Sequence, residues 1–159
     1  MANTSDILAD DALTAVYNQS LIALSSKAAE PKRLTHPDLS AHAVSPICGS
    51  EVTVDLALDG DRITAFGFDV EACALTKAVV AVMAAAIIGK TRADVAAAGA
   101  EMAAMLSGKN ILPGGDWAEL KLLAPVKDYT ARHNSILLPF EAVEKAFSKK
   151  RINHNGQDV

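Results

Sequence analysis

The sequence predicts an α+β fold in which a small, hairpin-centred antiparallel sheet packs against several helices. Three observations carry that expectation. Val52, Val54, Leu56 and Leu58 alternate with Thr53, Asp55, Ala57 and Asp59, the period of a strand with one buried face. Asp59-Gly60 follows as a tight-turn signal, because glycine tolerates positive φ, and Arg62 to Val70 runs back carrying Ile63, Phe66, Phe68 and Val70. On both sides of this hairpin the apolar spacing becomes helical.

In chain order, Leu13, Val16, Tyr17, Leu21 and Leu24 form the stripe of an amphipathic helix over about 10–26. The stretch 30–45, with Pro31 and Pro37, predicts an irregular approach with a short edge strand near 41–44. After Cys73, the residues Leu75, Val79, Val82, Met83, Ala86 and Ile87 fill a broad helical face, with Gly89 as the stop signal. Thr91 and Asp94 form a capping box that opens a second alanine-rich helix through Met102 and Met105 to Gly108. A Pro-Gly loop over 109–115 leads to a short helix capped by Asp116, bearing Trp117, Leu120 and Leu123 and broken at Pro125. The last helix carries Phe140, Val143, Ala146 and Phe147, with Pro139 expected in its first turn. The residues from 148 to 159 are polar and basic and read as a frayed tail on a single domain spanning 1–159.

At 159 residues, half of them hydrophobic, the chain is long enough to bury a core without staples. Its net charge of −4, with no basic stripe, gives no basis for nucleic-acid or anionic-membrane binding. The acidic start lacks the basic and apolar regions of a signal segment, and the longest apolar run, 78–88, is too short to span a bilayer. Cytoplasmic placement is the expectation. There, a pair of cysteines serves as ligands, redox groups or core residues more often than as a structural disulfide.

Those two cysteines are Cys48 and Cys73. With the turn centred on Asp59-Gly60, they meet at the open end of the hairpin about two residues out of register. That spacing allows a shared metal ion, a cluster or a disulfide. Cys73 also falls in the first turn of a helix, where unpaired N–H groups and the helix dipole favour a thiolate.

Cys48-Gly49-Ser50, then Glu71-Ala72-Cys73-Ala74-Leu75, then Arg132-His133-Asn134-Ser135-Ile136-Leu137 together resemble the landmarks of the iron–sulfur cluster scaffold family, the NifU N-terminal and IscU/SufU type. The resemblance covers most of the chain, from the first helix to about Phe147. Two departures stand out: Ser50 occupies the place of an aspartate, and Asn134 that of a third cysteine. The resemblance implies a non-enzymatic scaffold or carrier for a labile iron–sulfur cluster, held on Cys48, Cys73 and His133, the nearest imidazole. It leaves the fourth position open, or filled by water, Ser50 or a partner residue. It also implies a cysteine desulfurase and recipient apoproteins as partners. Leu123-Ala124-Pro125-Val126-Lys127 resembles the chaperone-docking motif of some scaffolds, differing at its second residue.

Other functions fit the same residues. A zinc-binding sulfur acceptor would hold zinc on these cysteines and take persulfide sulfur onto a thiol. An interaction-only homologue would have lost the chemistry, for which Ser50 and Asn134 are the support. A Cys48–Cys73 redox pair is opposed by the lack of a Cys-x-x-Cys arrangement.

Overall fold

The computed structural model describes residues 19–47 and 49–149. Its elements are α1 (Gln19–Ser26), β1 (Leu39–Val44), β2 (Glu51–Asp59), β3 (Arg62–Glu71), α2 (Ala74–Ala86), α3 (Arg92–Leu106), a run of 3-10 turns (Gly115–Asp128), a short one (Thr130–Arg132) and α4 (His133–Ser148). The first half of the expected N-terminal helix lies outside the described residues. The strands form an antiparallel meander in the order β1-β2-β3, and the buried apolar side chains make one contiguous core. The architecture is the α+β arrangement expected from the sequence.

The hairpin turns one residue later than the sequence suggested. Gly60 and Asp61 are the turn residues, and Asp59 faces Arg62. Gly60 has φ 61°, and no described non-glycine residue has positive φ. A turn centred on Asp59-Gly60 of the type that needs positive φ at both positions is therefore not formed; glycine takes the first position instead. A bulge between Ala57 and Leu58 shifts the register once more, so that β2 and β3 end with Glu51 opposite Glu71. Continued past that pair, Cys73 falls level with Gly49, the neighbour of Cys48 in sequence. The turn shift alone would make positions 48 and 73 level and the bulge moves the register on by one, so the net offset is one residue instead of two.

β1 begins two residues before the expected edge strand and pairs Leu39 with Leu56 through Val44 with Glu51. Val52, Val54 and Leu56 are fully buried against α4. The opposite face also carries a buried group, Asp55, whose side chain is inaccessible to solvent. It accepts hydrogen bonds from Arg33 Nε (2.6 Å) and Nη2 (3.1 Å), Leu34 N (3.0 Å) and Ser40 Oγ (2.7 Å). The segment supplying Arg33 and Leu34 crosses β3 at Gly67, where a Cβ would lie 2.7 Å from both Leu34 N and Lys32 O. Glycine at 67 is the condition for that crossing, and the crossing supplies the partners of the buried carboxylate. Lys32 exchanges both backbone bonds with Phe68, at 2.8 and 2.9 Å, covering the outer side of β3. On the outer side of β1, Lys145 Nζ donates to His42 O (2.7 Å) and Lys149 Nζ to Ser40 O (3.2 Å).

α2 is buried on most of its circumference, from Leu75 through Ala86, and sits among α1, α4 and the 3-10 run. Such a helix is apolar nearly all round because little of it meets water, the exposure being confined to Lys77, Ala84 and Ala85 among its later residues. It ends at Ala86 with Ile87 as its last half-turn, and Gly89 takes its positive φ two residues further on. The Thr91–Asp94 capping box opens α3 as expected, with Asp94 N donating to Thr91 Oγ1 (3.2 Å) and Thr91 N to Asp94 Oδ2 (3.0 Å).

Two later expectations are corrected. Asp116 does not cap a helix: Gly114 holds that position, and the Asp116 carboxylate pairs with Lys90 at 2.8 Å. The segment forms 3-10 turns and continues through Pro125, burying Trp117, Leu120, Leu123 and Val126. Leu123 and Val126 thus serve the core. Pro139, in turn, is not in the first turn of the last helix. α4 starts at His133, six residues earlier, and Pro139 lies inside it.

Gly67→Ala is expected to destabilise the fold by roughly 1–3 kcal/mol, because the new methyl meets backbone atoms rather than a flexible side chain; chemical denaturation checks this. The Asp55 carboxyl is a second test. Burial pushes its pKa up, but the bonds from Arg33, Ser40 and Leu34 N–H outweigh burial and hold it below the usual range. A carboxyl so lowered contributes stability that is complete above its unfolded value, about pH 3.9, and lost as pH falls through its folded value. Thermal melts from pH 6 down to pH 2 should show wild type losing stability more steeply on acidification than Asp55→Asn, which starts less stable.

Candidate metal and cluster site

The open end of the hairpin, the start of α2 and the start of α4 converge on one cleft of about 530 Å³. Its lining includes Ile47, Gly49, Ser50, Cys73, Arg132 and Ser135. Cys48 lies outside the described residues, but both of its neighbours line the cleft. Gly49 has φ 72°, a conformation glycine adopts without strain.

Cys73 is a half-buried free thiol at the N-cap of α2, with extended backbone (φ −68°, ψ 168°). Burial pushes its pKa up; the Thr76 backbone N–H, the Thr76 hydroxyl, the Leu75 N–H and the charge of Arg132 together pull it below the ordinary thiol value. The helix start thus favours a thiolate here, as the sequence position implied. The cation that assists is Arg132, the residue immediately before α4.

Beneath the sulfur lies a chain of hydroxyls from three elements. Cys73 Sγ is 3.6 Å from Thr76 Oγ1, which is 2.6 Å from Ser135 Oγ, which is 3.0 Å from Ser50 Oγ. Thr76 Oγ1 also donates to Ser135 O at 3.2 Å. That carbonyl is available because its ordinary partner four residues on is Pro139, which has no N–H. Thr76 and Ser135 were not singled out by sequence reasoning. The signal for them is present: one hydroxyl in the first turn of a mostly apolar helix, and a proline placed to release a carbonyl.

His133 opens α4, and its Nε2 lies 3.0 Å from Val126 O. A carbonyl only accepts, so Nε2 carries the proton and the lone pair of the neutral ring is on Nδ1. His133 is not among the residues lining the cleft. Among the described residues, no three His, Cys, Asp or Glu side chains are grouped to hold a metal ion. Cys73 supplies a soft sulfur donor, the kind that suits iron or zinc. Asn134 is exposed and supplies no thiolate.

The lowered thiol at Cys73 makes a direct prediction. In a Cys48→Ser background, the pH midpoint of iodoacetamide alkylation should lie below that of free cysteine. Thr76→Val should move it upward, since the hydroxyl that favours the thiolate is gone; mass spectrometry of the alkylated peptide reads both.

The NifU-like N terminal domain matches residues 24–135. The zinc-dependent sulfurtransferase SufU of Bacillus subtilis (strain 168) is 27% identical over 106 residues, 67% of this chain and 72% of that protein. The crystal structure of a nitrogen-fixing NifU-like protein (N-terminal) from Brucella abortus superposes with a TM-score of 0.81 at 36% identity, covering 86% of this chain and 95% of the other. A putative iron–sulfur cluster assembly scaffold protein for the SUF system from Fervidobacterium islandicum AW-1 gives 0.74 at 26% identity, covering 82% and 96%. With the family match over residues 24–135 and the shared fold in agreement, this chain belongs to the NifU-like N-terminal domain family of iron–sulfur cluster assembly scaffolds.

Proposed function

We propose that this scaffold holds a labile iron–sulfur cluster, or the iron from which one is built, on the thiolates of Cys48 and Cys73 with His133 as third donor. The observation that carries the reading is Cys73. It is a thiol lowered by a helix start, in a cleft whose lining includes the neighbours of Cys48 on both sides. His133 does not line the cleft, and what supports it as third donor is the bond from Nε2 to Val126 O, since metal-bound imidazoles commonly donate their other N–H to a backbone carbonyl. The cluster is cargo rather than a resident group, and an incomplete protein shell suits cargo that must leave. The protein's part is to present thiolates at fixed separation, exclude the core side from water and keep the cleft mouth open. A cysteine desulfurase as sulfur source and apoproteins as recipients follow from the family, and the chain itself performs no turnover.

A second reading is favoured by the relative from Bacillus subtilis, a zinc-dependent sulfurtransferase. In that reading zinc rests on the same donors. A cysteine thiolate attacks the terminal sulfur of a donor persulfide, forming a new S–S bond and releasing the donor thiolate.

Anaerobic reconstitution with iron and sulfide separates these readings. Wild type should gain visible and near-ultraviolet charge-transfer absorption, Cys48→Ala and Cys73→Ala should not, and His133→Ala should lose its colour faster on chelator challenge. Stoichiometric zinc in protein purified without added metal, with no colour on reconstitution, selects the zinc reading. A Cys48→Ala/Cys73→Ala double variant that colours like wild type overturns both.

A further inference from the structure

Ser50 stands where the family's pattern has an acidic residue, and the simplest expectation is that its hydroxyl replaces the carboxylate as a ligand. The geometry points elsewhere. We infer that Ser50 is a positioning residue: the buried hydroxyl chain Ser50–Ser135–Thr76, anchored on the carbonyl that Pro139 leaves to Thr76, sets the separation between the Cys48 loop and the Cys73 sulfur. The inference rests on the reading of Cys48 and Cys73 as a shared site.

The chain is buried throughout: Ser50 is 7% exposed, Ser135 2% and Thr76 0%. With Cys73 as the thiol its protons have one consistent arrangement, and with the thiolate the single Thr76 hydrogen turns from Ser135 O to the sulfur while the rest of the chain keeps its direction. Each hydroxyl has a single hydrogen. Thr76 Oγ1 donates to Ser135 O, so the 2.6 Å contact must be Ser135 Oγ donating to Thr76 Oγ1. Ser50 Oγ then donates to Ser135 Oγ across 3.0 Å. The direction is set at the Pro139 end and runs outward to Ser50, two residues after Cys48. At the inner end Thr76 also touches the Cys73 sulfur. One chain of bonds thus joins the hairpin mouth, the start of α4 and the start of α2. A carboxylate at position 50 would have no proton to give Ser135, and would set a charge against buried neutral hydroxyls. The hydroxyl residue is what this network requires.

Two readouts test the inference, one of them independent of metal. The first is closure of a short bis-alkylating reagent that fluoresces only when both thiols are joined, applied to metal-free protein whose folding is verified by thermal melting. Wild type should close efficiently. Ser50→Ala and Thr76→Val should each lower the yield, the double variant should be no worse than the lower single, and Ser50→Thr and Thr76→Ser should restore it. Additive losses, or no loss, overturn the chain as the positioning device, as does a wild type that never closes. The second readout is cobalt(II). Ser50→Ala should weaken binding about tenfold, the usual scale for a group that orients ligands, with ligand-field bands where wild type has them. Ser50→Asp should not tighten it. A band shift in Ser50→Ala, or tighter binding by Ser50→Asp, makes Ser50 a ligand and refutes the inference. A wild type that closes normally but shows no sulfur-to-cobalt charge transfer instead sinks the metal reading while the positioning chain stands.

Discussion

A carbonyl inside a helix ordinarily belongs to the amide four residues on. In α4 the amide owed to Ser135 is that of Pro139, and it has no hydrogen. The freed carbonyl turns to the Thr76 hydroxyl at 3.2 Å, which ties the first turn of α4 to the first turn of α2. Everything at the cleft follows from this bond between helix starts. Cys73 is held at the N-cap of α2, Arg132 precedes α4 and faces the same space, and Ser50 closes the ring from the hairpin side. A buried, fully bonded hydroxyl chain costs little in stability, whereas one with a missing member leaves an unpaired group in a low-dielectric interior.

The sheet contributes by holding the hairpin mouth at a fixed height. The bulge after Ala57 and the turn at Gly60-Asp61 set the register, and the register decides which residues of the two strands end level. The hairpin is kept rigid on its outer face by the Asp55 carboxylate, which gathers Arg33, Leu34 and Ser40 around it. Gly67 permits the close crossing that brings the first two of these into place. Rigidity on that face and the helix pair on the other leave the cleft between two well-determined bodies.

Much of this was legible in the sequence. Strand alternation, the Thr91–Asp94 box and the apolar spacing after Cys73 each reflect local physics, and each formed where expected. The hairpin register was misplaced because Asp-Gly suits more than one turn, and only the φ values distinguish them. Alternation alone puts Asp55 on the polar face, since it cannot reveal a distant segment folding over that face. Pro139 was placed at a helix start because an interior proline is costly in isolation; the compensating partner, Thr76, lies 63 positions earlier in the chain. The hydroxyl chain escaped for the same reason: its members are unremarkable singly and meaningful only when the helices meet.

The lysines along β1 have a consequence for how molecules of this protein meet one another. A bare sheet margin invites a neighbouring chain to add a strand. Here Lys145 and Lys149 occupy the His42 and Ser40 carbonyls on one margin, and Lys32 is already paired with Phe68 on the other. Ammonium groups seated on one rim and a pre-installed pair on the other blunt stacking of copies into ribbons. The sheet is thereby kept from templating its own aggregation.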